Sequence, residues 1–172
     1  MSIYRTRTYI AADFDHDRDA VEQLYKWNND NNLDFSFSNA HDLQTSSDNS
    51  LYCSIKSSLK YRMDGSKKFV LIVGNYTNAI TKGGCQYCGS YNSYIGYCAR
   101  GHNVDYRSYI QYECAKAVEA GIEIIVLYKN TTVDRNKCPE IIRYKGKHVP
   151  MIFYRDGKHY WDYKTVKNAL SI

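Results

Sequence analysis

The chain has 172 residues and a mass of 20.0 kDa, and 44% of its residues are hydrophobic, which suits one compact core over residues 1–172 and leaves too little length for two. With 24% charged residues, two prolines, ten glycines and no biased tract, it is neither a disordered chain nor a collagen-like or repeat protein. The net charge of +5 comes from Lys and Arg scattered among acids, so no nucleic-acid footprint is indicated.

Met1-Ser2-Ile3-Tyr4-Arg5 leads into alternating polar and charged residues rather than the apolar core of ~7–15 residues that a secretory signal carries. No run approaches the ~18 consecutive apolar residues of a membrane span. A cytoplasmic protein is therefore expected, in which thiols stay reduced and the six cysteines are buried, metal-bound or reactive.

Thr8-Tyr9-Ile10-Ala11-Ala12 is short, apolar and β-prone, and it runs into the acidic turn Asp13-Phe14-Asp15-His16-Asp17. From Asp17 or Arg18 to about Asn29, the spacing of Ala20, Val21, Leu24, Tyr25 and Asn28 predicts an amphipathic helix. Leu33, Phe35 and Phe37 alternate, predicting a second strand over 33–37 followed by a polar loop from Ser38 to Ser47. Asp48 or Asn49 is placed to cap a helix carrying Leu51, Ile55 and Leu59. Phe69-Val70-Leu71-Ile72-Val73 is the continuous apolar run of a buried parallel strand, ended by Gly74.

Residues 75 to about 104 form a Gly- and Tyr-rich stretch without a clear period, and a connection of that length is usually functional or stapled. Beyond it, Asp105 is placed to cap a helix through Ala120, with Gly121 at its left-handed end. Ile122 to Tyr128 reads as a further buried strand. Cys138-Pro139-Glu140 opens a short helix, Val149 to Tyr154 is the fifth strand, Asp156-Gly157 is a turn, and Asp162 caps a last helix to about Leu170. This alternation predicts a flavodoxin-like doubly wound α/β sheet of about five mainly parallel strands, with a Cys-rich insertion. In such sheets ligands bind beyond the C-terminal ends of the strands, an edge that here carries Asp13 to Asp17, Ser38 to Asp42, and the loop after Gly74.

The familiar phosphate and coenzyme signatures are missing: there is no G-x-x-x-x-G-K-[ST], no G-x-G-x-x-G after the first strand, and no G-x-S-x-G. A receiver domain would use Asp13 and Asp15 but needs an Asp at the end of the third strand, where the sequence reads Val73-Gly74-Asn75. On the helix through 105–120, Tyr106, Ile110, Cys114, Ala117 and Val118 share an apolar face, and Glu113 sits among them while Lys116 and Glu119 take the other side. An acid on an inward face needs a partner, a raised pKa or a ligand.

Tyr109-Ile110-Gln111-Tyr112-Glu113-Cys114-Ala115-Lys116-Ala117-Val118-Glu119-Ala120-Gly121, leading into Ile124-Ile125-Val126-Leu127, resembles the third helix and fourth strand of TIR domains, in particular the TIR component of the Thoeris antiphage system. The resemblance extends to the first three strands and their loops, and so covers most of residues 8 to 128. It implies an NAD-consuming enzyme in which Glu113 is catalytic and Tyr109, at the position usually occupied by Trp, binds substrate. The reaction implied is cleavage of the nicotinamide–ribose bond to give nicotinamide and an ADP-ribose-derived, cyclic or conjugated product, through an oxocarbenium-like state that a carboxylate stabilises. On the same rim, Phe14 is placed to stack on a base, and Asp13, Asp15, Asn39 and Asp42 to bind substrate. The resemblance further implies TIR–TIR homo-oligomers, a product acting on a separate effector, and a phage-derived trigger. The alternative is a non-catalytic TIR-like or receiver-like interaction module.

The chain departs from the TIR pattern at Cys85-x2-Cys88-x9-Cys98-x3-His102, a spacing close to that of small zinc knuckles and fit for a closed structural zinc site. Cys114 is a substitute fourth ligand. Cys53 and Cys138 read as ordinary core or helix-end residues, and Tyr87, Tyr91, Tyr94 and Tyr97 as packing for the loop, with a zinc-knuckle nucleic-acid binder as a weaker third reading.

Overall fold

The computed structural model describes residues 7–30, 32–33, 37–39 and 51–171. In chain order the elements are β1 (Arg7–Ala11), α1 (Arg18–Asn29), β2 (Ser38–Asn39), α2 (Tyr52–Asp64), β3 (Lys68–Val73), β4 (Tyr91–Asn92), β5 (Tyr97–Cys98), α3 (Tyr109–Ala120), β6 (Glu123–Tyr128), β7 (Lys147–Pro150), β8 (Ile152–Arg155), β9 (Lys158–Trp161) and α4 (Tyr163–Leu170). Five of the strands form one parallel sheet in the order β2-β1-β3-β6-β7. This is the flavodoxin-like doubly wound arrangement expected from the alternation.

The sheet is covered on both faces because its central strands are apolar on both. Alternate residues divide cleanly. Tyr9, Phe69, Leu71, Val126 and Tyr128 pack with Leu59 and Met63 of α2 and Ile110, Cys114 and Ala117 of α3. Ile10, Val70, Ile72, Ile125 and Leu127 face Ala20, Val21, Leu24 and Trp27 of α1 and Val166 and Ala169 of α4. No helix among the described residues is long and apolar enough to cross a membrane.

Four boundaries differ from those expected, each for a local reason. Among the described residues the second strand is Ser38–Asn39, and Leu33 and Phe37, the described ends of the expected 33–37 strand, lie outside it. The Asn28 side chain, read as part of the apolar face of α1, instead clasps Phe37, donating from Nδ2 to its carbonyl (3.0 Å) and accepting its N–H at Oδ1 (2.7 Å). Residues 34–36 and the expected caps Asp48 and Asn49 lie outside the described residues. The helix α3 starts at Tyr109, not after Asp105, because Ser108 and Gln111 exchange the two bonds of a capping box. The Asp105 carboxylate is occupied by Arg107 instead, and Tyr106, outside the helix, is exposed rather than on its inner face. The expected fifth strand 149–154 is two strands: Lys147–Pro150 joins the sheet, and Ile152–Arg155 leaves it to pair with β9 around Asp156 and Gly157, both at positive φ. The stretch after Gly74, expected to lack regular structure, contains short 3-10 turns at Thr77–Ala79 and Cys85–Tyr87 and the small antiparallel hairpin β4–β5.

Gly146 turns the chain back into the sheet at φ +76, and a Cβ there would sit 2.1 Å from the Ile124 carbonyl oxygen. Left-handed backbone costs a non-glycine residue about 1–2 kcal/mol before any clash. Gly146→Ala is therefore expected to destabilise the protein by more than about 2 kcal/mol in urea unfolding. An unchanged midpoint would contradict this packing of β7 on β6.

Candidate active site around Glu113

The rim loop after β1 is held by its own acids. Asp13 is buried; its Oδ1 accepts the Asp15 N–H (3.1 Å) and its Oδ2 lies 2.6 Å from His16 Nδ1. Its carbonyl accepts the Asp17 N–H at 2.7 Å, which starts α1. Asp13 is thus engaged in shaping the loop, Asp15 is exposed, and Phe14 is half-buried against the core on the α1 side. Asn39 is placed by backbone pairing of β2 with Thr8, and Asp42 lies outside the described residues.

Sequence reasoning missed the pair that ties this edge together. Asp17 is buried, and its carboxylate covers Gly74 at the end of β3 so closely that a Cβ on Gly74 would meet it at 2.1 Å. Lys129, directly after β6, reaches Asp17 at 3.5 Å and Asp19 at 2.7 Å, and donates to the His16 carbonyl at 3.1 Å. Burial raises the Asp17 pKa, with Lys129 pulling the other way. The signal available in sequence was a lysine immediately following a buried strand. The receiver-like alternative finds no acceptor here, since Gly74 stands where its Asp is needed.

Glu113 is in the second turn of α3, turned towards the sheet and only 5% exposed. The Tyr9 hydroxyl, carried across from β1, donates to Glu113 Oε1 at 2.5 Å, and the Tyr9 ring stacks on Phe69 with centroids 5.9 Å apart. Burial pushes the Glu113 pKa up to about 7, while the Tyr9 hydrogen bond holds it down. Burial, and next the Glu113 charge, push the Tyr9 hydroxyl well above its ordinary value. The arrangement is an acid poised near neutrality with one fixed donor, which is what a group that must switch between charge and proton requires.

Tyr109 is one turn earlier on α3. Its ring meets Tyr52 edge-on at 5.7 Å, and Gly83, at φ +102, approaches it so closely that a Cβ there would meet the ring at 2.5 Å. Its hydroxyl is buried without a hydrogen-bond partner among the described residues. Tyr109 therefore packs between α2 and the insertion.

Cys85, Cys88, Cys98 and His102 line one small cavity, together with Leu51, Cys53, Tyr91 and Asn103. The cysteines are unpaired, and among the described residues no three potential ligands already stand close enough to hold an ion. Cys114 is not in that cavity. It is sealed in the core under α3, where burial holds its thiol protonated, so it is no substitute ligand.

The parallel doubly wound sheet with a buried acid on α3 facing β1 defines an α/β protein of flavodoxin-like fold. More narrowly, residues 9–81 match the family described as Thoeris protein ThsB, TIR-like domain, and the match supports a Thoeris TIR-like protein with a TIR-type role in Thoeris defence. The matched segment is less than half of the chain and ends before Cys85 and Glu113. No curated protein matches the chain.

A carboxyl with a raised folded-state pKa binds its proton more tightly when folded, so its contribution is greatest below its unfolded pKa and is lost as pH rises through about 7. Glu113→Gln keeps an acceptor for Tyr9 and carries no charge. The variant is expected to match the wild type at about pH 4 and to exceed it by ~1–3 kcal/mol at about pH 8, read as a melting temperature several degrees higher. Equal or lower stability at the higher pH would refute the proposed environment of Glu113.

Proposed function

We propose that the protein is an NAD-consuming enzyme that cleaves the nicotinamide–ribose bond and makes an ADP-ribose-derived, cyclic signalling molecule. The observation that carries this reading is Glu113, a sealed acid with a pKa of about 7 held by the Tyr9 hydroxyl inside the α3–sheet interface. A purely structural residue at that place would gain stability by being apolar or amide, and an acid kept there at a cost of stability marks a functional position.

In the reaction the bond between C1′ of the ribose and the pyridinium nitrogen breaks, and its electron pair goes to nicotinamide, which leaves neutral. The positive charge left on C1′ and the ring oxygen is stabilised by the Glu113 carboxylate, more strongly in the transition state than in bound NAD. An adenine ring nitrogen then captures C1′ to close the cycle, or water captures it to give ADP-ribose. Tyr9 fixes the carboxylate and favours its charged form, so it is a positioning residue. NAD approaches from the edge lined by the Asp13-Phe14-Asp15 loop after β1. Because Glu113 is sealed, the substrate reaches it only after a rearrangement at α3, which is the step assigned to a phage-derived trigger or to TIR–TIR assembly. The product then acts on a separate effector in the cytoplasm.

A second reading, a non-catalytic interaction module, is favoured by the aromatic surface of the insertion, where Tyr94 is 98% exposed and Tyr87 and Ile95 are also exposed.

The test is nicotinamide release from NAD at high protein concentration, with and without extract of phage-infected cells. Glu113→Gln is expected to lower the rate by at least ~10²-fold. Tyr9→Phe is expected to keep turnover but move the acid limb of kcat/KM from about pH 7 upward, because the lost hydrogen bond favoured the charged form. No nicotinamide from the triggered wild type, or equal rates in Glu113→Gln, would sink the catalytic reading in favour of the interaction module.

A further inference from the structure

The insertion has almost no core of its own. From Lys82 to Arg107 the buried residues are Gly83, Gly84, Cys85 and Cys98, and a segment with so little apolar burial does not hold a shape without a cross-link or a metal. Yet it has a defined shape. Cys85–Tyr87 is a 3-10 turn, closed by the Cys88 N–H on the Cys85 carbonyl at 2.9 Å. The Tyr91 N–H bonds the Cys88 carbonyl (3.0 Å) and leads into the hairpin, in which Tyr91 is paired with Cys98. These bonds bring the two halves of the cysteine motif to one place.

The cavity they surround has a fifth sulfur-or-nitrogen contributor that the spacing of the motif did not reveal. Cys53, in the first turn of α2, lines it beside Cys85, Cys88, Cys98 and His102. The start of a helix is where a thiolate is stabilised by the aligned peptide dipoles. Cys85 already has an outer partner: the Asp105 N–H points at its sulfur at 3.2 Å, the kind of hydrogen bond that orients and charges a ligating thiolate. His102, by contrast, is exposed while Cys85 and Cys98 are buried.

We propose that Cys53, Cys85, Cys88 and Cys98 form a structural zinc site that fastens the insertion to α2, with His102 outside the ligand set. Each thiol gives its proton to water as its Zn–S bond forms, and four thiolates complete a closed tetrahedral site with no position for substrate. The backbone already surrounds the cavity, and the thiols turn inward to bind. The cross-link joins three separate stretches of chain, residue 53, the 85–88 turn and the end of β5, and it lies next to Tyr109, whose ring carries Gly83 on one face and meets Tyr52 on another. The site thus sets how the insertion rests on the start of α3, independently of whether the protein turns over NAD.

The experiment is metal analysis of the full chain purified under reducing conditions without chelator, together with cobalt substitution. One zinc per chain is expected, and cobalt should give the intense charge-transfer and ligand-field absorption of a tetrahedral, thiolate-rich site. Cys53→Ser should lower zinc at least tenfold, whereas His102→Ala should retain one per chain. Should Cys53→Ser fail to fold, the wild type alone decides: chelator must lower its melting temperature and expose four additional thiols to a thiol reagent. Wild-type protein without zinc and with these thiols already reactive, or paired as disulfides, overturns the site. Loss of zinc in His102→Ala with retention in Cys53→Ser overturns the ligand set.

Discussion

The hydrogen bond between Tyr9 and Glu113 joins the first strand to the third long helix across an interface built mostly of apolar side chains. Phe69, Leu71, Ile110, Cys114 and Ala117 of the same core offer an anion nothing, while the Arg62 charge acts on the Tyr9 hydroxyl. The acid is tolerated because one oxygen has a donor and because the proton is available near neutral pH, which keeps the desolvation penalty to a few kcal/mol rather than the much larger one of a fixed buried charge. Everything around it keeps that compromise in place: the capping box at Ser108 sets the rotation of α3, Gly121 ends it in left-handed backbone, and the parallel pairing of β1 with β3 puts Tyr9 opposite Phe69.

The sheet was legible in the sequence because parallel strands covered on both faces must be apolar throughout, and 69–73 and 122–128 read that way without ambiguity. Glu113 was legible as an acid inside an apolar stripe. Its partner was not, since Tyr9 is separated from it by 104 positions and a tyrosine in a β-prone run carries no sign of what its hydroxyl will meet. Boundaries failed where two polar residues competed for one job, as Asp105 and Ser108 did for the helix cap. They failed again where a turn signal, Asp156-Gly157, drew the residues before it out of the sheet. Cys53 and the Asp17–Lys129 pair were invisible for the same reason as Tyr9: each belongs to a site only through tertiary contact.

The two ends of the candidate machinery are built on different principles. At the rim, Asp13 bonds the His16 ring and the Asp15 N–H, and Lys129 reaches Asp17, Asp19 and the His16 carbonyl, so the loop after β1 is shaped before any ligand arrives. Below it, Glu113 is held by one donor and a shell of hydrocarbon. The insertion supplies neither; with tyrosines exposed along it and Cys85 and Cys98 buried, it is an addition resting on α2 and on the first turn of α3 through Tyr109.

The sealed state of Glu113 ties any motion of α3 to the proton. A carboxyl that leaves this interface for water returns towards an ordinary pKa of about 4.3, so between that value and about 7 exposing it releases a proton, and at neutral pH about half of one on average. Opening is therefore linked to acidity as well as to ligands: between the two pKa values each unit of rising pH favours the exposed form about tenfold. A drop in pH works against opening by the same factor, so the acidity of the surroundings becomes one of the inputs that set how readily the helix lifts.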